Sequence, residues 1–342
     1  MRRRVPHERC VRVRVGFARL RISHWGLAPI RSAVLGASRC ASLADSWVVR
    51  NRSVSSDCGN LQSAWEAHTV RVEDLRLPFF ASAIGNAAGE PAIVLPGGPC
   101  RGPEYLGDFA GVGGGRSLVV LHPRGTPRSG GLSHGWWADA ADVITLADAL
   151  GLESVDLVAH SAGTRLALAT ATQFPDRVRS MALVTPPATW LTETESDTDA
   201  LAATHASREA TEALAAMSSD DPTTEAEFRE SFLRQAPASY AHWTSTEQAH
   251  AAVGAVSLAA ALAWFTDIPD DAAAQIRAMV PTRTLVIGGD RDLLTGAQPV
   301  RDYAATLHAD FQVIADCGHY PWIEQPARFR ERLFPWLTPS KG

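Results

Sequence analysis

The sequence predicts an α/β fold with a mostly parallel central sheet, and two observations lead to this prediction. Short apolar runs bounded by Gly or Pro recur along the chain, which is typical of parallel strands buried on both faces. Segments of helical periodicity separate several of these runs, and strands that alternate with helices form sheets with right-handed crossovers. The apolar runs cover residues 92–95, 118–121, 155–159, 181–184, 284–287 and 311–314.

The other elements of the sheet domain follow from local patterns. Residues 70–80 alternate imperfectly between apolar and charged side chains, which predicts a half-exposed strand pair. Residues 137–150 carry an apolar stripe of helical period, and Gly151 is placed to end that helix as a C-terminal cap. A second helix is predicted over 162–174, directly after the third apolar run, and it stops before Pro175.

The alternation breaks between residues 188 and 280, where no strand-like run occurs and Ala, Asp, Glu, Ser and Thr dominate. A helical insertion between sheet strands predicts a cap over the carboxyl edge of the sheet. The helices predicted within it cover 208–217, 224–234 and 247–265. The predicted organisation is a core of residues 66–187 and 281–342 with a cap of residues 188–280.

Residues 1–65 are predicted to be a poorly ordered extension. The first 60 residues carry twelve Arg against three acidic residues, a charge of +9. Since the whole chain has a net charge of −5, the remaining residues carry a net charge of −14. The alternating Val and Arg at 11–15 fit an edge strand, an RNA-binding arm, or translated sequence upstream of the true start, and we favour the last. No uninterrupted apolar stretch there suits an export signal.

Composition excludes several classes of function. The net charge of −5 gives no overall attraction for nucleic acid, and no apolar run approaches the ~18 residues of a membrane span. Five scattered cysteines without a C-x-x-C pair argue against a disulfide framework or a thiolate metal site, and favour a reduced, cytoplasmic setting. Neither metal nor nucleotide motifs occur, so we expect no cofactor and no metal. The oligomeric state stays open.

The strongest chemical signal is Ser161 in the segment Ala-His-Ser-Ala-Gly. It follows a predicted strand and precedes a predicted helix, which is the setting of a nucleophile elbow. Small residues must flank such a serine because the turn is tight; Ala159 stands at the first small position and Gly163 at the second. The sequence therefore predicts Ser161 as a nucleophile at a helix N-terminus, where negative charge is favoured.

A serine nucleophile needs a base and an orienting acid, in the chain order Ser, Asp or Glu, His. His319 lies on a loop after the last predicted strand, and two aspartates lie on the loop after the strand before it. Asp292 is three residues beyond Gly289, so its loop can turn back toward the serine, whereas Asp290 is nearer the strand end. We therefore predict Asp292 as the acid, with Asp290 as the alternative.

An oxyanion hole requires two backbone N–H groups aimed at the developing negative charge. Ala162, the residue after the nucleophile, is predicted to supply one. The second is predicted to be Gly98, in the Gly-Gly-Pro loop after the strand at residues 92–95.

These segments together resemble the prolyl aminopeptidase-like α/β-hydrolases over residues 70–340. The Pro-Gly-Gly-Pro at 96–99 is similar to the family's H-G-G-P-G loop, and 121–129 is similar to its D-Q-R-G-x-G-x-S segment. The elbow resembles G-H-S-x-G, and residues 318–326 resemble G-H-x-P-x-x-E-x-P. The resemblance implies a serine hydrolase with a helical cap.

The family's aminopeptidases hold the substrate's α-amino group with glutamates of the cap. Trp243 and Glu247 lie in a segment similar to the family's W-S-x-W-E, so the resemblance implies that they bind substrate. Ala261 stands where the second glutamate is expected, and Pro96 and Cys100 replace a His and a Gly of the oxyanion loop. These departures leave the substrate open.

The sequence thus predicts a serine hydrolase that works through an acyl-enzyme. Its substrates are small molecules: short peptides or amino-acid amides first, or else small esters, lactones or thioesters. Two hypotheses from other classes are a non-catalytic ligand-binding protein on the same fold, and nucleic-acid binding through the Arg-rich extension. The complete Ser, Asp and His set disfavours the first, and the absence of interleaved aromatic residues disfavours the second.

Overall fold

The apolar runs of the sequence meet in one central sheet of eight strands. The computed structural model describes residues 11–15, 18–22, 70–71, 77 and 79–338. Strands β1 to β10 are Val11–Val15, Ala18–Ile22, Val70–Arg71, Ala81–Ile84, Ala92–Leu95, Leu118–Leu121, Val155–His160, Val178–Val184, Arg283–Gly289 and Asp310–Ile314.

The sheet runs in the order β10-β9-β8-β7-β5-β6-β4-β3. All neighbours from β10 to β6 are parallel, and β4 and β3 pair antiparallel at the other end. The chain passes from β5 to β6 on one side and returns to β7 on the other. Ligand crevices form beyond the carboxyl ends of strands at such a reversal. The sequence prediction of a mostly parallel α/β sheet is confirmed.

Both faces of the sheet are buried along strands β5 to β9, as the uninterrupted apolar runs require. Along β5, Ile93 and Leu95 pack into one hydrophobic cluster and Ala92 and Val94 into another on the opposite face. This alternation follows from the two-residue period of a strand.

Helices flank the sheet and fill the stretch between β8 and β9. Four of the described helices are capped by a Ser or Thr side chain, at residues 207, 224, 244 and 257, as N-terminal helix signals require. The α-helices span Ala140–Ala149, Gly163–Gln173, Thr189–Thr192, Thr198–His205, Arg208–Ser219, Glu225–Gln235, Ser245–Ala251, Leu258–Ala263, Ala272–Arg277, Gln298–Thr306, Pro321–Glu324 and Pro326–Leu337. Among the described residues, no helix has the length and apolar character needed to cross a bilayer.

The predicted single helix over 247–265 is wrong. Two helices, Ser245–Ala251 and Leu258–Ala263, replace it. Between them Gly254 takes a φ of +86°, and a Cβ there would lie 2.4 Å from the carbonyl oxygen of Gly102. A long-range backbone contact therefore breaks the helix at a point where the local apolar pattern continues.

The strand pair predicted up to Phe80 is also corrected. The antiparallel strand β4 begins at Ala81, beyond the predicted end. Its sequence, Ala-Ser-Ala-Ile, carries little strand signal, and buried Ser82 is satisfied by a 2.9 Å hydrogen bond between its hydroxyl and His122 Nε2. Tertiary pairing thus overrides weak local propensity.

Most of the extension predicted at 1–65 lies outside the described residues. Within it, the backbones of β1 and β2 form an antiparallel pair, a two-stranded sheet of their own.

Candidate active site

Ser161 sits on a sharp turn between β7 and the helix Gly163–Gln173. Its φ of +50° is a left-handed conformation that a non-glycine residue rarely adopts. A Cβ on Gly163 would lie 2.4 Å from the carbonyl oxygen of Leu95 at the end of β5. Only glycine fits there, so the small-residue requirement of the elbow has a steric cause.

Ser161, His319 and Asp292 form one hydrogen-bonded chain. The Ser161 hydroxyl lies 2.9 Å from His319 Nε2, and His319 Nδ1 lies 2.7 Å from Asp292 Oδ2. Both Asp292 and His319 are buried. A carboxylate can only accept, so Nδ1 carries the proton and Nε2 is left to accept from the serine hydroxyl.

The structure brings Asp292, and not Asp290, to the histidine. Backbone N–H groups of Leu294 and Thr295 donate to Asp292 Oδ1, and the Thr295 hydroxyl donates to Oδ2 at 2.6 Å. Asp290 instead accepts from the backbone N–H of Cys317 at 3.3 Å, which ties its loop to the loop of the histidine.

The backbone of His319 is fixed on both sides. Its N–H donates to the carbonyl of Ser239 at 2.7 Å. Its carbonyl accepts from the Thr185 hydroxyl at 3.0 Å and faces His160 Nε2 at 3.1 Å. The imidazole is thereby held in place by both the sheet domain and residues between β8 and β9.

His160 and Tyr105 link this histidine loop to the Gly-Gly-Pro loop. The N–H of Gly97 donates to the Tyr105 hydroxyl at 2.6 Å, and that hydroxyl lies 2.9 Å from His160 Nδ1. Burial holds the pKa of His160 well below its usual range, so the ring is neutral and donates from Nε2 to the His319 carbonyl. The sequence analysis missed this role, although a histidine directly before the serine was a signal for it.

Gly98 and Ala162 both line the cavity into which Ser161 opens. Gly98 takes a φ of +91°, which its missing Cβ permits. Within the described part of the chain, neither backbone N–H has a hydrogen-bond acceptor. Both amides are therefore free to bind an oxygen beside the serine.

The cavity has a volume of about 760 Å³ and lies between the carboxyl edge of the sheet and the helices that follow β8. Trp136, Trp190 and Phe265 give it an aromatic wall, and Met217 and Ile268 extend the apolar surface. A pocket of this size and character suits a small organic molecule.

The two predicted substrate-binding residues do not line this cavity. The Glu247 carboxylate accepts from the backbone N–H and the hydroxyl of Thr244, in a capping box at the start of the helix Ser245–Ala251. Trp243 packs against the Tyr240 ring at a centroid distance of 5.4 Å.

Two arginines in the cavity wall were missed by the sequence analysis, because nothing in the local pattern marks them. Arg101 is fully buried and donates to the Tyr320 hydroxyl and to backbone carbonyls, including that of Val253. These bonds join the Gly-Gly-Pro loop to the segment between the two helices at 245–263. Arg165 is half-buried, one helical turn after Ser161.

Among the described residues, no cluster of three or more His, Cys, Asp or Glu side chains is arranged to hold a metal ion.

A model of the alpha/beta hydrolase fold family matches residues 101–326 of the chain. The chain is also similar to solved structures at low identity. A naproxen esterase from Bacillus subtilis is 18% identical, with a TM-score of 0.53, over 81% of this chain and 94% of that one. A thermophilic esterase from Thermogutta terrifontis is 20% identical, with a TM-score of 0.51, over 79% and 97%. An alpha/beta fold family hydrolase from Bacillus anthracis is 14% identical, with a TM-score of 0.58, over 78% and 97%. At these identities the likeness shows the fold.

Proposed function

The chain belongs to the alpha/beta hydrolase fold family, and we propose that it is a serine hydrolase that cleaves small carboxylic esters, lactones or thioesters through an acyl-enzyme. The observation that carries the proposal is the chain of hydrogen bonds from Ser161 through His319 to Asp292, beside a cavity of about 760 Å³.

The first step is attack by the serine on the substrate carbonyl. His319 Nε2 takes the proton of the Ser161 hydroxyl as Oγ bonds to the carbonyl carbon. Asp292 keeps the imidazole in the required tautomer and stabilises the imidazolium that forms. Gly98 and Ala162 donate their N–H groups to the oxyanion of the tetrahedral intermediate.

The intermediate collapses when His319 returns the proton to the leaving oxygen or sulfur. This leaves an acyl group on Ser161 Oγ. Water then repeats the sequence with the histidine again as base, and releases the carboxylic acid. The neutral pair His160 and Tyr105 acts at a distance, by holding the loops that carry His319 and Gly98.

A prolyl aminopeptidase-like activity is the second candidate, favoured by the motifs at residues 96–99 and 318–326. It ranks second because Glu247, which would bind the substrate's α-ammonium group, is engaged by Thr244 and lies away from the cavity wall. Ala261 at the other expected glutamate position leaves that role without a carboxylate.

The test compares wild type with Ser161→Ala on p-nitrophenyl butyrate, L-alanyl p-nitroanilide and L-prolyl p-nitroanilide. We expect the ester to be cleaved by wild type only. Cleavage of the prolyl amide alone would replace this proposal by the aminopeptidase. If none is cleaved, a fluorophosphonate probe decides: labelling of wild type but not of the variant retains a reactive serine, and no labelling overturns the hydrolase.

Two further sequence predictions stay as proposals. We propose that residues 188–280 act as the cap over the site, and that the protein works in a reduced, cytoplasmic setting.

A further inference from the structure

Arg165 places a cation in the wall of the cavity that Ser161 opens into. The two residues are four positions apart around the start of the helix Gly163–Gln173. Both residues line the same cavity, so one small ligand can contact the guanidinium and the serine together.

Aromatic rings hold the guanidinium in place. Its central carbon lies 4.1 Å from the ring centroid of Trp190, 5.6 Å from that of Phe265 and 5.8 Å from that of Trp136. These contacts fix the position of the charge, but aromatic faces leave the in-plane N–H groups of a guanidinium without acceptors.

Arg165 has no hydrogen-bond acceptor and no ion-pair partner in the described part of the chain. The neighbouring Arg101 shows the contrast, since backbone carbonyls and the Tyr320 hydroxyl occupy its N–H groups. The Asp292 carboxylate is already hydrogen-bonded to His319 and to the Thr295 hydroxyl. Asp270 also lines the cavity, but it is exposed and makes no ion pair with Arg165.

Burial lowers the pKa of Arg165 to about 9, so the group is still charged at neutral pH. A partly desolvated charge without a counter-ion is unfavourable, and a ligand that brings the opposite charge relieves this cost. Planar guanidinium groups suit carboxylates, because two parallel N–H···O bonds can form.

We propose that Arg165 binds a carboxylate of the substrate, and that the enzyme prefers half-esters of short dicarboxylic acids over neutral esters of the same length. This inference rests on the proposed function and specifies its substrate class. Arg165 and Ser161 line one cavity of about 760 Å³, so we take short dicarboxylic half-esters as the substrate class. The same cation repels substrates with a free α-ammonium group.

The first test is a ratio of rates. p-Nitrophenyl hydrogen glutarate and p-nitrophenyl pentanoate have acyl chains of equal length and differ in the terminal carboxylate. We expect wild type to give a higher kcat/KM for the anionic ester, and Arg165→Gln to lower this preference about 10- to 100-fold. Arg165→Lys keeps the charge without the planar fork and should retain part of the preference.

The matched control is Arg301→Gln, which removes an arginine that lies over the Phe311 ring, outside the cavity. It should keep the wild-type ratio. An equal or reversed preference in wild type, or an unchanged ratio in Arg165→Gln, would overturn the proposal, and so would an equal loss of ratio in the control.

A binding measurement separates this inference from the proposed function. Ser161→Ala cannot form an acyl-enzyme, so calorimetric titration with monomethyl glutarate reports binding alone. We expect binding that disappears when Arg165→Gln is added and is absent for dimethyl glutarate. Equal binding of both compounds overturns the carboxylate site, whether or not the wild type cleaves any ester. If Arg165→Gln fails to fold, the same titration with Arg165→Lys decides, since an unchanged affinity there would exclude a two-bond contact.

Discussion

The two ends of strand β7 differ in how their polar groups are satisfied. At the amino end, Asp156 accepts from the Ser180 hydroxyl at 2.6 Å and forms ion pairs with Arg116 at 2.6 Å and Arg179 at 2.7 Å. At the carboxyl end, Ser161 has a left-handed backbone, and the next helical turn carries Arg165 without a counter-charge among the described residues.

The polar groups that stabilise the fold and those proposed to react therefore lie at opposite ends of one strand of six buried residues. A carboxylate with three donors stabilises the fold and has no capacity left for a ligand. A serine in a left-handed conformation and a cation without a counter-charge cost stability, and we propose that both groups serve substrate binding. Substitutions at the amino end should therefore lower stability and leave turnover unchanged, whereas substitutions at the carboxyl end should lower turnover.

The largest expected effect is on turnover, from a pair of serines. Ser161→Ala should lower kcat by about 10⁴- to 10⁶-fold, because the nucleophile is lost. Ser180→Ala should leave kcat at the wild-type value and lower the free energy of unfolding by about 1.5–3 kcal/mol, because a hydrogen bond to a charged group is removed. Ester kinetics and urea unfolding on both variants measure these effects. A loss of turnover in Ser180→Ala would contradict a purely structural role for Ser180.

The second effect concerns the two aspartates of one loop. Asp292→Asn should lower kcat by about 10³- to 10⁴-fold, because an amide no longer holds His319 in the right tautomer. Asp290→Asn should change kcat far less, since within the described residues the Asp290 carboxylate accepts only from the backbone N–H of Cys317. Comparable losses in the two variants would contradict the assignment of the acid.

The third effect is a dependence of stability on pH at the amino end. Burial acts to raise the pKa of Asp156, but hydrogen bonds from Arg179, Ser180 and Arg116 outweigh it and lower the pKa to about 2. The ionised carboxylate therefore stabilises the folded state above pH ~4, and this contribution is lost as the pH falls toward ~2.

Asp156→Asn should consequently lose roughly 2 kcal/mol of unfolding free energy at neutral pH, with little difference from wild type near pH 2. Chemical unfolding across this pH range measures the difference. A constant gap between the two proteins at all pH values would show that the carboxylate's charge is not responsible.

The smallest effect tests the residue that sequence resemblance assigned to substrate. Glu247→Gln weakens the capping box with Thr244 and should lower the free energy of unfolding by no more than about 1 kcal/mol. Ester turnover should stay at the wild-type rate. A rise in KM for amino-acid amides would instead return Glu247 to the substrate site.

Much of the fold was predictable because its signals are local. Six apolar runs became strands β5 to β10, each within a few residues of its predicted bounds. For β5 to β9 the reason is that a strand buried on both faces must be largely apolar, whereas the edge strand β10 is exposed or half-buried over most of its length. The elbow at Ser161 and the order of the acid and histidine loops also follow from short segments of sequence.

Only the tertiary structure decided what the charged and polar side chains contact. Arg101 binds the backbone of Val253, 152 positions away in the chain, while Arg165 has no hydrogen-bond acceptor or counter-ion in the described residues. No local pattern distinguishes the two arginines. The break at Gly254 likewise depends on the backbone of Gly102, which approaches from a distant part of the chain. Periodicity records which residues are buried, because burial repeats along a helix or strand. The partner of a charge is set by how distant segments meet, and a single sequence carries no repeating signal for that.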